Sequence, residues 1–405
     1  MNKIEKLLNE LCPNGVEFKS LGEVCEVVRG KGLSKSDVCD GVIPVILYGE
    51  LYTTYGDYIT KIQSFTDASK IQNSPKIIIN DLLLPISSTT KDAAIGKVSA
   101  YLLDDDCFLG SDAIILRHSQ NAGFLVHLLN SSWFNQLKMG CCRGTTINHL
   151  IVKEFLALKI PIPPLEIQEE IVKILDTFTE LEAELEAELE ARRRQYEYYR
   201  NKLLSFEYLK TNGGGYKLKM LGEICERQKG INITAGEMEK IAIQNGDIRI
   251  FAGGKTFIDT KMELLQEQNI LKKTSIIVKS RGYVDFEYYA KPFTHKNELW
   301  SYSLNPDTKD INLKFIFYYL KNKVEYFQKI ARANAVKIPQ LAVADTDRFQ
   351  IPIPSLATQE KIVNILDQFH ALTTDLQSGI PAEIEARKKQ YEYYRNQLLT
   401  FKEAI

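Results

Sequence analysis

Apolar residues recur three and four positions apart over two long stretches of the chain, and that spacing predicts two long helices. In the first, Ile171, Ile174, Phe178, Leu181 and Leu185 are followed by Leu189, Arg192, Tyr196, Tyr199, Leu203 and Phe206, the alternation of a coiled-coil seam. Leu181, Leu185 and Leu189 are four apart twice running, a stutter that locally relaxes supercoiling, and it coincides with the run LEAE-LEAE-LEA. In the second stretch, Ile362, Ile365, Phe369, Leu372, Leu376, Ile380 and Ile384 lead to Tyr391, Tyr394, Leu398 and Phe401. This stretch has one more four-residue step, and Gly379 and Pro381 inside it predict a kink or a short break. Before each helix stands an Ile-Pro-Ile-Pro segment, extended because a residue preceding proline is pushed out of the α region. Leu165 to Phe206 spans 42 residues, roughly 63 Å at about 1.5 Å per residue. That is the length of a spacer. Two such helices, with no other long helix to pack on, pair most simply with each other, and an antiparallel pair puts one body at each end.

The two stretches are copies. IPIPPLEIQEEIVKILDTF at 160–178 aligns without gaps to IPIPSLATQEKIVNILDQF at 351–369, an offset of 191. RRRQYEYYRNKLLSF at 192–206 aligns to RKKQYEYYRNQLLTF at 387–401, an offset of 195, so the second copy has gained four residues between the blocks. LGEVCE at 21–26 and LGEICE at 221–226 mark the entrance to each copy. Between entrance and helix lie bodies of over a hundred residues that scarcely resemble each other. Drift after duplication would spread divergence evenly; near identity in the helices beside dissimilar bodies points to one shared architecture carrying two specificities.

This arrangement of variable body, I-P-I-P-P-L-x-x-Q-x-x-I-V-x-I-L-D helix start and Y-E-Y-Y-R-x-x-L-L-x-F helix end, all repeated, resembles the specificity subunit of Type I restriction-modification systems over nearly the whole chain. The resemblance implies a mixed α/β, pseudo-two-fold fold: two globular target-recognition domains separated by a pair of long antiparallel coiled-coil helices. It implies target-recognition domain 1 over 1–158 with an N-terminal helix over 1–12, a central spacer helix over 159–210, target-recognition domain 2 over 211–349 and a C-terminal spacer helix over 350–405. It further implies a non-catalytic reader of double-stranded DNA with a bipartite target, partnered by two methyltransferase subunits and by restriction subunits. S-adenosylmethionine, ATP and magnesium are then expected only in those partners, and adenine is the expected methylated base. RNKLLSFEYLKTNGGGYKLKMLGE after the first helix resembles NKIEKLLNELCPNGVEFKSLGE at the start, in keeping with a family habit of letting the C-terminal helix continue into the N-terminal stretch. A duplicated surface suits two similar partner subunits on one chain.

Composition changes this picture little. Hydrophobic residues at 44% and charged residues at 25% are ordinary for a globular chain. The 405 residues suit two cores of usual size. No apolar run approaches the roughly 20 residues that span a bilayer, and no signal peptide is visible, so a cytoplasmic protein without a membrane association is expected. Seven cysteines, odd in number and without a Cys-x-x-Cys pair, argue against structural zinc, and adjacent Cys141 and Cys142 read as buried or half-buried free thiols.

Net charge is -1, but it is unevenly spread. Residues 16–158 carry 13 basic and 15 acidic groups, residues 215–349 carry 22 and 16, and the helical segment 159–214 carries 8 and 12. The basic body is the second one, and whole-chain charge says little about local fields.

Sequence readers place a few side chains on base edges and more on phosphates. Arg143, Thr145 and Thr146 lie on a loop before a return strand, and its positional counterpart in the second body carries Arg332, Asn334 and Lys337. Lys31, Lys91, Lys229, Lys279 and Arg281 stand beside glycine, serine or threonine in predicted turns. The aromatic run at 315–320 reads as helical core, and base flipping is left to the subunit that performs chemistry. A self-contained methyltransferase would need a cofactor loop after a strand and an Asn/Asp-Pro-Pro-aromatic motif, and neither occurs; Phe251-Ala-Gly-Gly254 is only an echo of the first. A nuclease needs clustered carboxylates, and Asp259-Thr-Lys261 has no acidic partner upstream. A coiled-coil protein-interaction adaptor without DNA specificity would explain the helices but not two dissimilar bodies.

Overall fold

The structure, a computed structural model, describes residues 2–88, 95–144, 148–335, 337–375 and 378–404. The chain divides into two units: residues Met1–Glu186 with Glu383–Ile405, and residues Ala187–Ala382. The 39-residue helix Leu165–Leu203 thus gives its first part to one unit and its last part to the other.

In the first unit the continuous apolar runs become strands buried on both faces. Leu82–Pro85 and Ala113–Arg117 pair antiparallel inside a five-stranded sheet completed by Glu26–Arg29, Ser99–Tyr101 and Tyr58–Ile59. Because successive side chains point to opposite faces, Leu82, Leu84, Ile114 and Leu116 meet the helices Ala122–Leu129 and Ser132–Gly140. Leu83 and Ile115 turn the other way, into a second core with Tyr101, Ile46 and Leu109. The entrance motif is explained by packing: Leu21 is fully buried and donates its N–H to Leu158 O, while Glu23 accepts from Ser20 N (2.7 Å) and Ser20 Oγ (2.5 Å). Phe18–Ser20 pairs antiparallel with Lys159–Pro161. The C-terminal segment pairs with the N-terminal stretch, since Val16 N donates to Lys402 O (2.8 Å) and Ala404 N to Val16 O (2.9 Å).

The second unit repeats this plan. Cys225–Lys229, Trp300–Leu304, Ser275–Lys279 and Asp285–Tyr289 form a four-stranded sheet whose Ile276, Val278, Trp300 and Tyr302 face the helices Leu313–Lys321 and Val324–Ala333. The run at 315–320 is helical core, as expected, with Phe315, Ile316, Tyr318, Tyr319 and Leu320 buried.

A shared glutamine explains the P-L-x-x-Q motif. Gln168 is fully buried; its Oε1 accepts from Asn121 N (3.0 Å), and its Nε2 donates to Pro163 O (2.7 Å) and Gln120 Oε1 (2.8 Å). Gln359 repeats the latch with Asn312 N (2.8 Å), Pro354 O (2.9 Å) and Asp310 O (3.0 Å). Asn121 and Asn312 are the caps of the helices that follow them, so each glutamine ties the start of a long helix to the start of a body helix.

Within each unit the long helices run antiparallel. In the first, Phe178 stacks on Tyr394 (centroids 5.3 Å apart) while Glu182 and Glu186, further along, pair with the earlier residue Lys388 (3.2 and 3.3 Å). In the second, Phe369 stacks on Tyr199 (5.5 Å) and lies against Tyr196. One expectation needs refining. The most deeply buried row at the start of the central helix is Ile167, Ile171 and Leu175, spaced by four and directed into the body core, whereas Ile174 is only partly buried. In the second copy Ile362 lies in the body core with Leu366, while Ile365 is partly buried. Leu181 and Leu372, read as seam positions, are 39% and 38% exposed, and Leu185 and Leu189 are half-buried. The helix starts have two apolar rows because each must satisfy a body as well as a partner helix. The predicted break is present: helices Leu356–Thr374 and Ile380–Leu398 are separate, with Ala382 N bonded to Gly379 O. Leu376 falls outside the described residues.

Candidate nucleic-acid interface

In the first unit, Asn148–Leu150 pairs antiparallel with Cys142–Arg143 on one side and with Ser87–Ser88 on the other. Leu150, buried, donates its N–H to Ile86 O at 2.9 Å and anchors the strand. One step outward His149 stands opposite Ser87 and is exposed. Ser87 Oγ lies 2.9 Å from His149 Nδ1 and 3.3 Å from Asp112 Oδ1. Asp112 occupies the left-handed region at φ 61°, a conformation aspartate tolerates better than most residues. The strands of this edge run into 89–94 and 145–147, so Lys91, Thr145 and Thr146 lie outside the described residues.

Arg143 is exposed but committed to its own fold. Its guanidinium donates to Gly140 O (2.7 Å), Cys142 O (2.9 Å) and Glu154 Oε2 (3.1 Å), closing the end of the helix Ser132–Gly140. Lys31 is exposed, in a loop held by Ser74 Oγ on its carbonyl (2.6 Å). Beneath the edge, Lys138 is 1% exposed and donates to Gly96 O at 2.8 Å; burial brings its ammonium down to about 7 from 10.5. Cys141 and Cys142 are free thiols, the first buried and the second half-buried.

The second unit builds the same edge in the same register. Leu341 N donates to Ser280 O (2.8 Å) and Gly282 N to Pro339 O (2.9 Å), with Arg281 opposite Gln340 between them. Leu341 therefore corresponds to Leu150, Ser280 to Ile86, Arg281 to Ser87 and Gln340 to His149. Arg281, Arg332, Lys337 and Gln340 are all exposed. Arg332 lines a small hollow with Tyr283 and Gln328, and Lys255 Nζ sits 5.5 Å from the centroid of Tyr283, which is 51% exposed. Among the described residues, the ion pairs of this body involve Arg227, Arg249, Lys272, Lys273, Lys279, Lys296, Lys314 and Lys321. None involves Lys255, Arg281, Arg332 or Lys337, so these four cations have no ion-pair partner among the described residues.

Lys279 is the exception among the expected turn lysines. It ends a strand, is 4% exposed, lies 4.5 Å from the Phe251 ring centroid and pairs with Glu287 at 3.3 Å, and burial lowers its basicity. It belongs to the core. Lys229 is exposed at the end of Cys225–Lys229 and lines an open groove with Lys272 and Lys273. His149, Ser87, Gln340 and Lys255 escaped the sequence reading. The double glycine before Lys255 was its only local signal; the others are set by long-range register.

No helix among the described residues is long and apolar enough to cross a membrane. The sequence matches the model of the type I restriction modification DNA specificity domain over residues 13–191 and again over 214–386. It is 30% identical over 423 aligned residues to the EcoR124I/EcoR124II specificity subunit of Escherichia coli, covering 99% of this chain and 97% of that protein. Its fold is similar to the crystal structure of the S subunit from M. genitalium, with a TM-score of 0.58 at 18% identity over 95% of this chain and 96% of the other. It is also similar to the HsdS subunit from Thermoanaerobacter tengcongensis, with a TM-score of 0.50 at 17% identity over 96% and 97% of the two chains. Two matched domains, one per body, and a relative aligned end to end place the chain in the type I restriction-modification specificity-subunit family.

Proposed function

We propose that the chain reads a bipartite DNA target, one half-site per body, and directs two methyltransferase subunits and the restriction subunits of a type I complex without performing chemistry itself. The observation that carries this reading is the cationic edge of the second body, where Arg281, Arg332, Lys337 and Lys255 stand without ion-pair partners among the described residues. Unpaired cations on a surface edge are what phosphate neutralisation uses, and exposed Gln340, opposite Arg281, adds an amide that can both donate and accept, as base readers do. The matching register in the first body supports a reader of the same design with different side chains. On this reading S-adenosylmethionine, ATP and magnesium belong to the partner subunits, and the protein works in the cytoplasm.

The test is DNA binding by the chain with and without its methyltransferase partner, against duplexes of random sequence. Selection of one split sequence is the expected result, and failure to bind any duplex would overturn the reading in favour of a protein adaptor. Incubated alone with S-adenosylmethionine and DNA, the chain should transfer no methyl group. Replacing residues 16–158 by the body of another reader should change one half-site only.

A further inference from the structure

The antiparallel registers let the two bodies be compared position by position. In both, a buried leucine N–H is bonded across to the facing strand, Leu150 to Ile86 and Leu341 to Ser280. One step out the pairs differ: exposed His149 faces buried Ser87, and Gln340 faces Arg281, both exposed. A scaffold kept at the anchoring step and varied at the next one is what two specificities on one architecture require.

The chemistry of the first pair follows from proton counting. Asp112 Oδ1 can only accept, so the single hydroxyl proton of Ser87 goes to it across 3.3 Å. The Ser87 oxygen is then left to accept across 2.9 Å, and His149 must carry its proton on Nδ1. In the neutral ring Nε2 then carries the lone pair, on a side chain that is exposed. In the major groove, adenine N6 and cytosine N4 are the donors that such an acceptor fits, whereas guanine offers only acceptors there. The second pair has opposite character: the Arg281 guanidinium can only donate, matching guanine O6 and N7, and the Gln340 amide both donates and accepts, matching adenine.

We infer that these cross-strand pairs are the base-reading positions of the two half-sites, His149 taking an amino-bearing base in one and Arg281 with Gln340 taking guanine and adenine in the other. This rests on the DNA-reading function proposed above.

The test is sequencing of methylated sites in cells carrying the whole system with His149→Ala, Ser87→Ala, Arg281→Ala or Gln340→Ala. All but Ser87 are exposed, so His149→Asn, which keeps an acceptor, checks against loss of fold. The first two alanine variants should relax one position of one half-site, with a roughly ten- to hundredfold fall in discrimination there, and leave the other half-site intact. The last two should do the reverse, and His149→Asn should lose less than His149→Ala. Half-sites unchanged in every variant would overturn the inference. So would relaxation of both half-sites by one substitution. Where methylation is lost altogether, binding of the purified complex to duplexes mutated in either half-site decides: unchanged preference refutes the inference, and preference lost for one half alone supports it. A wild-type complex without any split target would instead refute the DNA-reading function itself.

Discussion

Replacing Lys138 by glutamine should abolish a pH dependence of stability that the wild-type chain carries. Lys138 is 1% exposed, and its ammonium donates to Gly96 O at 2.8 Å. Burial is the main reason its basicity falls to about 7, with Arg395 lowering it further and Cys142 opposing. The second body fills a similar role without a charge, Gln328 Nε2 donating to Val284 O at 3.1 Å.

The unfolded lysine titrates near 10.4, the folded one near 7. Between those values the unfolded chain binds a proton that the folded chain does not, so stability rises with pH there, by up to about 1.4 kcal/mol per pH unit. Below about 7 both states are protonated, the slope vanishes, and the buried charge is carried at full cost. From pH 7 to 9 the gain is about 2 kcal/mol, since only half the folded lysines are neutral at the start. Urea unfolding of wild type and Lys138→Gln under reducing conditions at pH 6, 7, 8 and 9 measures it. The half-buried Cys142 thiol is coupled to Lys138, so both proteins carry Cys142→Ser, and the Cys141 thiol, common to both, cancels in the difference. The variant should be the more stable at pH 6 to 7, and the advantage should shrink by about 2 kcal/mol by pH 9. Parallel curves for the two proteins would refute the reasoning.

Gln168→Ala and Gln359→Ala should each destabilise by about 2–3 kcal/mol, because a buried backbone N–H loses its acceptor and two carbonyls lose a donor; denaturation midpoints report it, and a loss below about 0.5 kcal/mol would remove the latch from the account. Arg332→Gln combined with Lys337→Gln should weaken binding to all duplexes about equally and flatten the dependence of log affinity on log salt by about two. An unchanged salt slope would mean that these cations do not meet phosphates. Deleting one LEAE tetrapeptide shortens the central helix by roughly 6 Å and turns it by about 40°. The expected result is a gap between half-sites shorter by one or two base pairs with the half-site letters kept, and methylated-site sequencing that finds altered letters would contradict it.

The two long helices, the extended Ile-Pro segments and the break at Gly379 and Pro381 were legible in the chain because each depends on residues within a turn or two of one another, and the repeat because its copies align directly. What local pattern could not decide is which side chain meets which across the fold. Lys279 and Arg281 look alike in sequence, yet one is 4% exposed over an aromatic ring and the other is exposed at an edge. Arg143 resembles a free cation until Gly140, Cys142 and Glu154 are seen to occupy it. His149 and Ser87, distant in sequence, become neighbours only through antiparallel register, and a slip of one residue would turn His149 inward. Sequence by itself determined that two unlike bodies ride on duplicated helices. Tertiary structure alone decided which side chains those bodies present, because register and burial are set by contacts between segments far apart along the chain.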